Sequence, residues 1–370
     1  MKKNKVKKTD EDTRELRRGW TTGACATAAA KASYIGLITG QIPSNIQITL
    51  PGGKTPSFLV HDSYISLDDS MAAIEKDAGD DPDVTHGSIV RVTIRRAEEL
   101  IFKAGEGVGK VTKPGLPIEV GEPAINPGPR KMIEKNLRVI ANKYGLKLNI
   151  EVEISIDNGA ALAQKTWNPR LGILGGLSIL GTTGIVIPYS CAAWIASIHQ
   201  GIDVARATGI IHVAACTGKT SEEAVTALYG FKPSEILDMG DFVGATVKYL
   251  QTNPIPKVTI ASGFGKITKL AAGHMDLHSK RSQVDPKFIA SLAAKGGIDK
   301  NICEQISKAE SAGNIIELIE INHLKLGNDI AEVAQNIISR KNKNNVDFEV
   351  LVYNRKGIQI GHAPFKKSNL

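Results

Sequence analysis

The chain has 370 residues, 42% of them hydrophobic and 23% charged, with a net charge of +8. That length exceeds one ordinary core and implies two domains, and the balance is that of a folded chain. It has no apolar run of about 18 residues, an aromatic content of 5%, and four widely spaced cysteines without a C-x-x-C pair. These features exclude a membrane span, base stacking on nucleic acid, a zinc ribbon and a disulfide framework. The charge is concentrated: five lysines fall within the first eight residues, which hold no acid, so the body is only mildly basic. Such a tail is solvated, nucleic acid is not an expected partner, and a charged rather than apolar start predicts a cytoplasmic protein.

Leu16 to Lys31 joins an arginine pair, Arg17-Arg18, and the turn Gly19-Trp20-Thr21-Thr22-Gly23 to an alanine-rich helix. Thr21 or Thr22 can cap that helix, and its remaining free N–H groups with the two arginines beside them suit an anion. Ile46 to Leu50 alternates as a strand, Pro51-Gly52-Gly53-Lys54 turns, and Ser57 to His61 returns. Asp77, Asp80, Asp81 and Asp83 put four carboxylates near His86; they suit a hard cation or acid–base work, or a polar loop built on Asx-turns. Ile89 to Ile94 alternates again, and Gly105-x-Gly107-x-Gly109 follows Leu100-Ile101-Phe102. Lys110 to Pro114 cannot open a helix there, so these glycines mark a turn or a close backbone contact and not a dinucleotide fingerprint. Residues 114–129 are rich in proline and glycine and form a stiff loop, before a helix of about 15 residues from Arg130 and a strand over Leu148 to Ile156.

Trp167 to Gly184 holds five glycines within 172–184, among apolar residues and hydroxyls. It makes neither a good helix nor a good strand. Gly175, Gly176, Gly181, Thr182, Thr183 and Gly184 could expose backbone N–H groups to a flat ligand; a buried structural crossover is the other reading.

Beyond it, Pro188 to His199 reads as a helix and Ile210 to Ala215 as a buried strand. A helix over Ser221 to Tyr229, a strand at Ile236-Leu237, a helix near Phe242 to Leu250 and a strand over Val258 to Ala261 follow. Ligands in such alternating sheets sit beyond the carboxyl ends of the strands, here Cys216 to Lys219, Asp238 to Asp241 and Ser262 to Gly265. His274, Asp276 and His278 alternate, so an extended chain would aim them at one metal. Alternatively they bind substrate, with Lys280 and Arg281 on its carboxylates. Pro286 to Arg340 is helical, and Phe348 to Tyr353 is a last strand. The expected architecture is an α+β domain with a mostly antiparallel sheet over 16–190, after a basic tail over 1–15. A three-layer α/β domain with a parallel sheet over 191–345 and a final strand and tail over 346–370 complete it.

Together these segments resemble the cobalt-precorrin-5B C1-methyltransferases of anaerobic cobalamin biosynthesis, the CbiD family. The matching stretches are Leu16 to Lys31, Lys76 to Gly87, Gly105 to Arg130, Asn168 to Ser190, Asp203 to Arg206 and Lys269 to Asp285. The sequence departs most over Gly209 to Gly240 and in the helical C-terminal region. The resemblance implies methyl transfer from S-adenosylmethionine to C1 of a cobalt-containing polycarboxylate macrocycle, an in-line displacement that needs near-attack positioning. Cobalt then arrives with the substrate, and no protein metal site is required. On this reading Arg17, Arg18, Thr21, Thr22, Arg130, Arg170, His278, Lys280 and Arg281 hold the substrate and the glycine-rich loop holds the methyl donor. A weak base to deprotonate the product macrocycle would be Asp77, His86, Asp157 or His274. Two other classes compete: a metal-dependent hydrolase built on His274, Asp276, His278 and the Asp77–Asp83 cluster, and a non-catalytic corrinoid carrier. Assembly into a homo-oligomer is compatible with all three.

Overall fold

The computed structural model describes residues 16–342 and 346–366; the basic tail over 1–15 lies outside them. The chain forms two compact units. The first holds 16–112, 117–169 and 173–190; the second holds 113–116, 170–172 and 191 onward.

The first unit runs β1 (Gly19–Trp20), α1 (Thr22–Thr39), β2 (Asn45–Gln47), β3 (Ser57–Leu59), β4 (Asp62–Ile65), β5 (Asp69–Glu75), β6 (Ile89–Arg96), β7 (Ile101–Ala104) and β8 (Lys110–Val111). It continues with α2 (Pro127–Lys143), β9 (Ile150–Ile156), α3 (Gly159–Ala163), β10 (Ile173–Leu174) and β11 (Ile185–Val186). Its main sheet has the order β4-β5-β6-β9-β7, antiparallel except where β7 joins β9. β9 alternates buried and half-buried residues because one face meets the core and the other meets water. α1 is buried nearly all round, against this sheet and α2, and Ala24, Ala28, Ala29 and Ala32 are fully enclosed. Alanine is what lets the backbones come so close, and a larger side chain there would overpack the core.

The hairpin of β4 and β5 carries no strand signature in the sequence. β5 is buried on both faces over Ser70–Ile74, so it shows no period-two pattern, and its small residues are those that α1 can rest upon. α2 begins three residues earlier than expected, since Pro127 and Pro129 fit the first turn of a helix. The side chain of its buried Asn136 donates to Thr49 O at 3.0 Å and accepts from Thr49 N at 2.8 Å. That pair replaces ladder partners for the segment after β2.

The second unit runs α4 (Cys191–Ala207), β12 (His212–Cys216), α5 (Lys219–Tyr229), β13 (Ile236–Asp238), α6 (Val243–Thr252), β14 (Lys257–Gly263) and α7 (Phe264–Ala271). Four further helices follow, α8 (Pro286–Lys295), α9 (Lys300–Ser307), α10 (Ala312–Ile321) and α11 (Leu326–Lys341), then β15 (Asp347–Tyr353) and β16 (Gln359–Ala363). The sheet order is β13-β12-β14-β15-β16, parallel except for β16. α4 starts at Cys191 and not at Pro188, because Tyr189 has φ 56° and cannot sit inside a helix. β15 is not the last strand: the Asn354–Gly357 turn, where Asn354 Oδ1 accepts from Lys356 N and Ile358 N, returns the chain antiparallel as β16. The molecule is thus of mixed α/β class, one unit with a largely antiparallel sheet and one with a largely parallel sheet.

Candidate active site

In the first unit, the loop after β5 folds onto the chain entering α1. Trp20 N donates to Asp77 O at 2.7 Å, Asp80 N donates to Arg17 O at 2.9 Å, and Arg17 N donates to Asp80 Oδ2 at 2.7 Å. Gly19 and Gly79 face each other where a Cβ on either would meet backbone within about 2 Å. The Arg17 guanidinium grips Asp77 with two hydrogen bonds, one of 2.9 Å, and that bond first of all holds the Asp77 carboxyl below the usual carboxylate range. His86 stands beside them: its Nδ1 accepts from Ala78 N at 3.0 Å, so a neutral ring carries its proton on Nε2.

Arg17, Trp20, Phe58, Lys76, Asp77 and His86 line a cleft of about 490 Å³. Lys76, not among the residues expected at a site, is 1% exposed, with Nζ 2.6 Å from Asp83 Oδ2. Its only signal was a cation at the inner end of a buried strand.

The four carboxylates do not form a cation cage. Asp77 serves Arg17, Asp80 the Arg17 backbone, Asp81 accepts from Tyr189 N at 2.8 Å, and Asp83 holds Lys76 and Thr85. Asp157, a base candidate, is engaged by Arg91 Nε at 2.9 Å and Nη2 at 3.1 Å, and does not line the cleft.

The expected anion site at the start of α1 is closed by the protein itself. Thr21 is the cap, its Oγ1 accepting from Ala24 N at 3.1 Å, while Gly23 N donates to Leu180 O at 2.8 Å and Thr22 is buried. Leu180 belongs to the glycine-rich stretch, which is a crossover laid against its own chain. Leu177 N donates to Gly107 O, Gly109 N to Leu177 O, and Thr21 N to Gly184 O. A Cβ on Gly176 would lie 2.2 Å from Gly107 O, one on Gly181 2.1 Å from Thr21 Oγ1, and one on Gly184 2.6 Å from the Leu50 side chain. These three glycines therefore serve chain-to-chain contact and not an opening for a ligand; Gly175, with φ +85°, faces open space. Thr182 packs by Gly128, and Thr183 Oγ1 bonds the Ile185 carbonyl at 3.2 Å.

Two of the candidate arginines are also occupied. Arg130 donates to Ile125 O, Pro123 O and Glu122 Oε2, and Arg170 forks onto Glu222 at 2.7 and 3.1 Å. Arg18 and Lys280 make no side-chain ion pair among the described residues.

In the second unit, residues 274–282 do not extend. Leu277 is buried, its N–H on Asp241 O and its carbonyl on Lys269 Nζ, so the chain turns around it. Asp276 accepts from His278 N and Arg281, and His278 Nδ1 accepts from Lys280 N at 3.2 Å. A turn thus replaces the alternation that would aim His274, Asp276 and His278 at one ion. His274, His278, Lys280 and Arg281 are left exposed.

Two family models match the chain, CbiD over residues 9–188 and the CbiD C-terminal domain over 276–364. A cobalt-precorrin-5B C(1)-methyltransferase of Paramagnetospirillum magneticum is 51% identical over 95% of this chain and 99% of its own length. The chain belongs to the CbiD family. The homonymous protein of Brucella anthropi is 51% identical over 93% of this chain and 94% of its own. A crystal structure of the cobalamin biosynthesis protein CbiD from Archaeoglobus fulgidus is 24% identical, with a TM-score of 0.40 over 76% of this chain and 85% of that one. The family model over 9–188 contains the whole Arg17–Asp77–His86 cleft, and that over 276–364 contains Asp276 to Arg281. Among the described residues no helix is long and apolar enough to cross a membrane.

Proposed function

We propose that this chain methylates carbon 1 of cobalt-precorrin-5B, giving cobalt-precorrin-6A in the cobalamin pathway, with S-adenosylmethionine as methyl donor. One observation carries the reading: identity of 51% to a protein of that name over 99% of that protein's length, which spans both units. The donor, when bound, supplies a methyl group on a sulfonium, and the protein's task is to hold that group in line with the ring carbon. The cobalt belongs to the substrate.

The substrate's carboxylates fit the cations left exposed. Each unit offers such a cation by itself, Arg18 in the first and Lys280 in the second. Arg17 and Arg281 sit in solvent-exposed pairs with Asp77 and Asp276, which are weak enough to exchange partners. Thr21, Thr22, Arg130 and Arg170 are engaged within their own units and act on the fold, not on the substrate. His86 offers Nε2–H to a substrate oxygen from the cleft wall, and His278 borders the second cation pair. Arg17 holds Asp77 below the usual carboxylate range, and Asp157 is taken up by two hydrogen bonds from Arg91, so His274, whose ring makes no hydrogen bond among the described residues, is the proposed base.

The test is incubation of the purified chain with cobalt-precorrin-5B and methyl-labelled S-adenosylmethionine, with the Paramagnetospirillum magneticum protein run alongside. Label at C1 is the expected result. Substrate binding without transfer, where the relative transfers, would make this chain a corrinoid carrier instead.

A further inference from the structure

The five strands of the second unit have an order that itself points to a ligand site. β12, the first strand, lies between β13 and β14, the second and third. The crossover through α5 leaves β12 toward β13, and the chain leaving β14 returns on the other side as β15. The connections thus diverge between β12 and β14. In doubly wound sheets of this 2-1-3-4-5 order, ligands sit at that divergence, beyond the carboxyl ends of the two strands.

The residues at those ends are built for contact. Gly218 follows β12 in an extended conformation, and a Cβ there would meet nothing within 4 Å. Gly263, which ends β14, is exposed. The loops are tied together: Thr217 Oγ1 and Ser262 Oγ are 2.6 Å apart, and Lys266 Nζ reaches Thr217 O at 3.0 Å and Asp241 Oδ1 at 3.1 Å. Asp238 closes β13 in register with Cys216, about 20 residues beyond the glycine turn, the place from which a carboxylate reaches ribose hydroxyls in nucleotide-binding sheets. At the same end, Tyr353 is paired with Gly263 in register and is 3% exposed, yet its hydroxyl has no hydrogen-bond partner among the described residues.

We propose that the crevice between the ends of β12 and β14 holds the adenosyl group of the methyl donor, with Asp238 accepting from the ribose hydroxyls and Gly218 letting the ligand lie against the backbone. This rests on the methyltransferase reading above and moves the donor from the glycine-rich crossover of the first unit to the second unit. The methionyl carboxylate then falls to Lys219, exposed at the start of α5, where the helix dipole also favours an anion.

The test uses the full chain and S-adenosylhomocysteine in titration calorimetry, with and without cobalt-precorrin-5B, together with photo-crosslinking of labelled S-adenosylmethionine and peptide mapping. Asp238→Asn should weaken binding at least tenfold. Gly218→Val, at a position where a Cβ meets nothing within 4 Å, should abolish binding while melting with the parent protein. Label should fall on residues 216–219 or 236–241. Unchanged affinity in both variants, or label within 173–186, would overturn this site while leaving the methyltransferase reading in place. A parent chain that binds the compound under neither condition would overturn both.

Discussion

Lys76 is the residue whose surroundings say most about its role. Its ammonium is enclosed and meets Asp83, a carboxylate that is itself largely covered and also accepts from Thr85 N and Oγ1. Burial pushes the Asp83 carboxyl up, but the Lys76 charge and these hydrogen bonds outweigh it and bring it below its ordinary value. The pair's stability is therefore present at neutral pH and lost on acidification below about pH 4. Removing one partner of such a pair strands the other. Lys76→Met should cost about 3 kcal/mol in urea unfolding at pH 7, the lower end of the range for breaking a buried pair, since the Asp83 carboxylate keeps some solvent. Lys76→Met combined with Asp83→Asn should recover part of that loss. The arginines separate by the same reasoning. Arg17→Lys keeps the charge but loses the fork to Asp77 at an exposed site, so the melting temperature should hold while KM for the corrinoid rises. Arg170→Lys breaks a half-covered fork to Glu222 and should lower stability by about 1 kcal/mol, with KM unchanged. The reverse pattern in steady-state kinetics and thermal melts would exchange their roles.

At the scale of the element, the middle of the second unit's sheet is held by a polar chain across β12, β14 and β15. His212 Nε2–H donates to Thr259 Oγ1 at 2.8 Å, and Thr259 Oγ1 donates to Glu349 Oε2 at 2.7 Å. Tyr229 and His362 also reach Glu349, which is 2% exposed. Rings of Tyr229, Phe231 and Phe365 meet the His212 imidazole edge-on. Burial lowers the His212 pKa; Glu349 opposes that and Lys257 adds to it. The folded chain thus binds fewer protons at His212 than the unfolded chain does, so this contribution to stability is intact above about pH 6.5 and is lost as pH falls below it. Unfolding free energies measured from pH 7.5 to 5 should decline in the parent, and His212→Phe should flatten the decline. An equal slope in both would assign the pH dependence elsewhere. The sheet's alternation was readable in the sequence because its strands are short apolar runs between turns. β5 was not, because enclosure on both faces erases the period that marks a strand.

For the whole molecule, the thiols report on both units at once. Cys25 lies within α1 and Cys216 at the end of β12, both fully buried, while Cys303 is half-buried and Cys191 is exposed. Burial pushes the Cys25 thiol up to about 12 and moves Cys216 in the same direction, so neither offers a thiolate in the folded chain. Iodoacetamide at neutral pH should modify Cys191 first, and Cys25 and Cys216 only in denaturant. Early labelling of Cys25 alone would show that the first unit opens locally, and early labelling of Cys216 alone would show the same of the second.

By itself the sequence determined the order of most elements, a threonine cap at Thr21 or Thr22, the mostly antiparallel sheet of the first unit and the parallel sheet of the second, and the family. Each of these rests on neighbours along the chain: hydroxyls before helices, glycine and proline at turns, apolar periods and long contiguous motifs. The partners of its charged and glycine residues were decided only by tertiary structure. Nothing local says that Arg17 meets Asp77, that Asp81 reaches Tyr189, that Gly176 lies against the Gly107 backbone or that Gly181 lies against the Thr21 side chain. Glycine rows look alike whether a ligand or another strand lies against them, and a cation looks free until the fold brings a carboxylate to it. The strand order that places β12 beside β14 is likewise set by packing of distant segments, and with it the end of the sheet at which a ligand would lie.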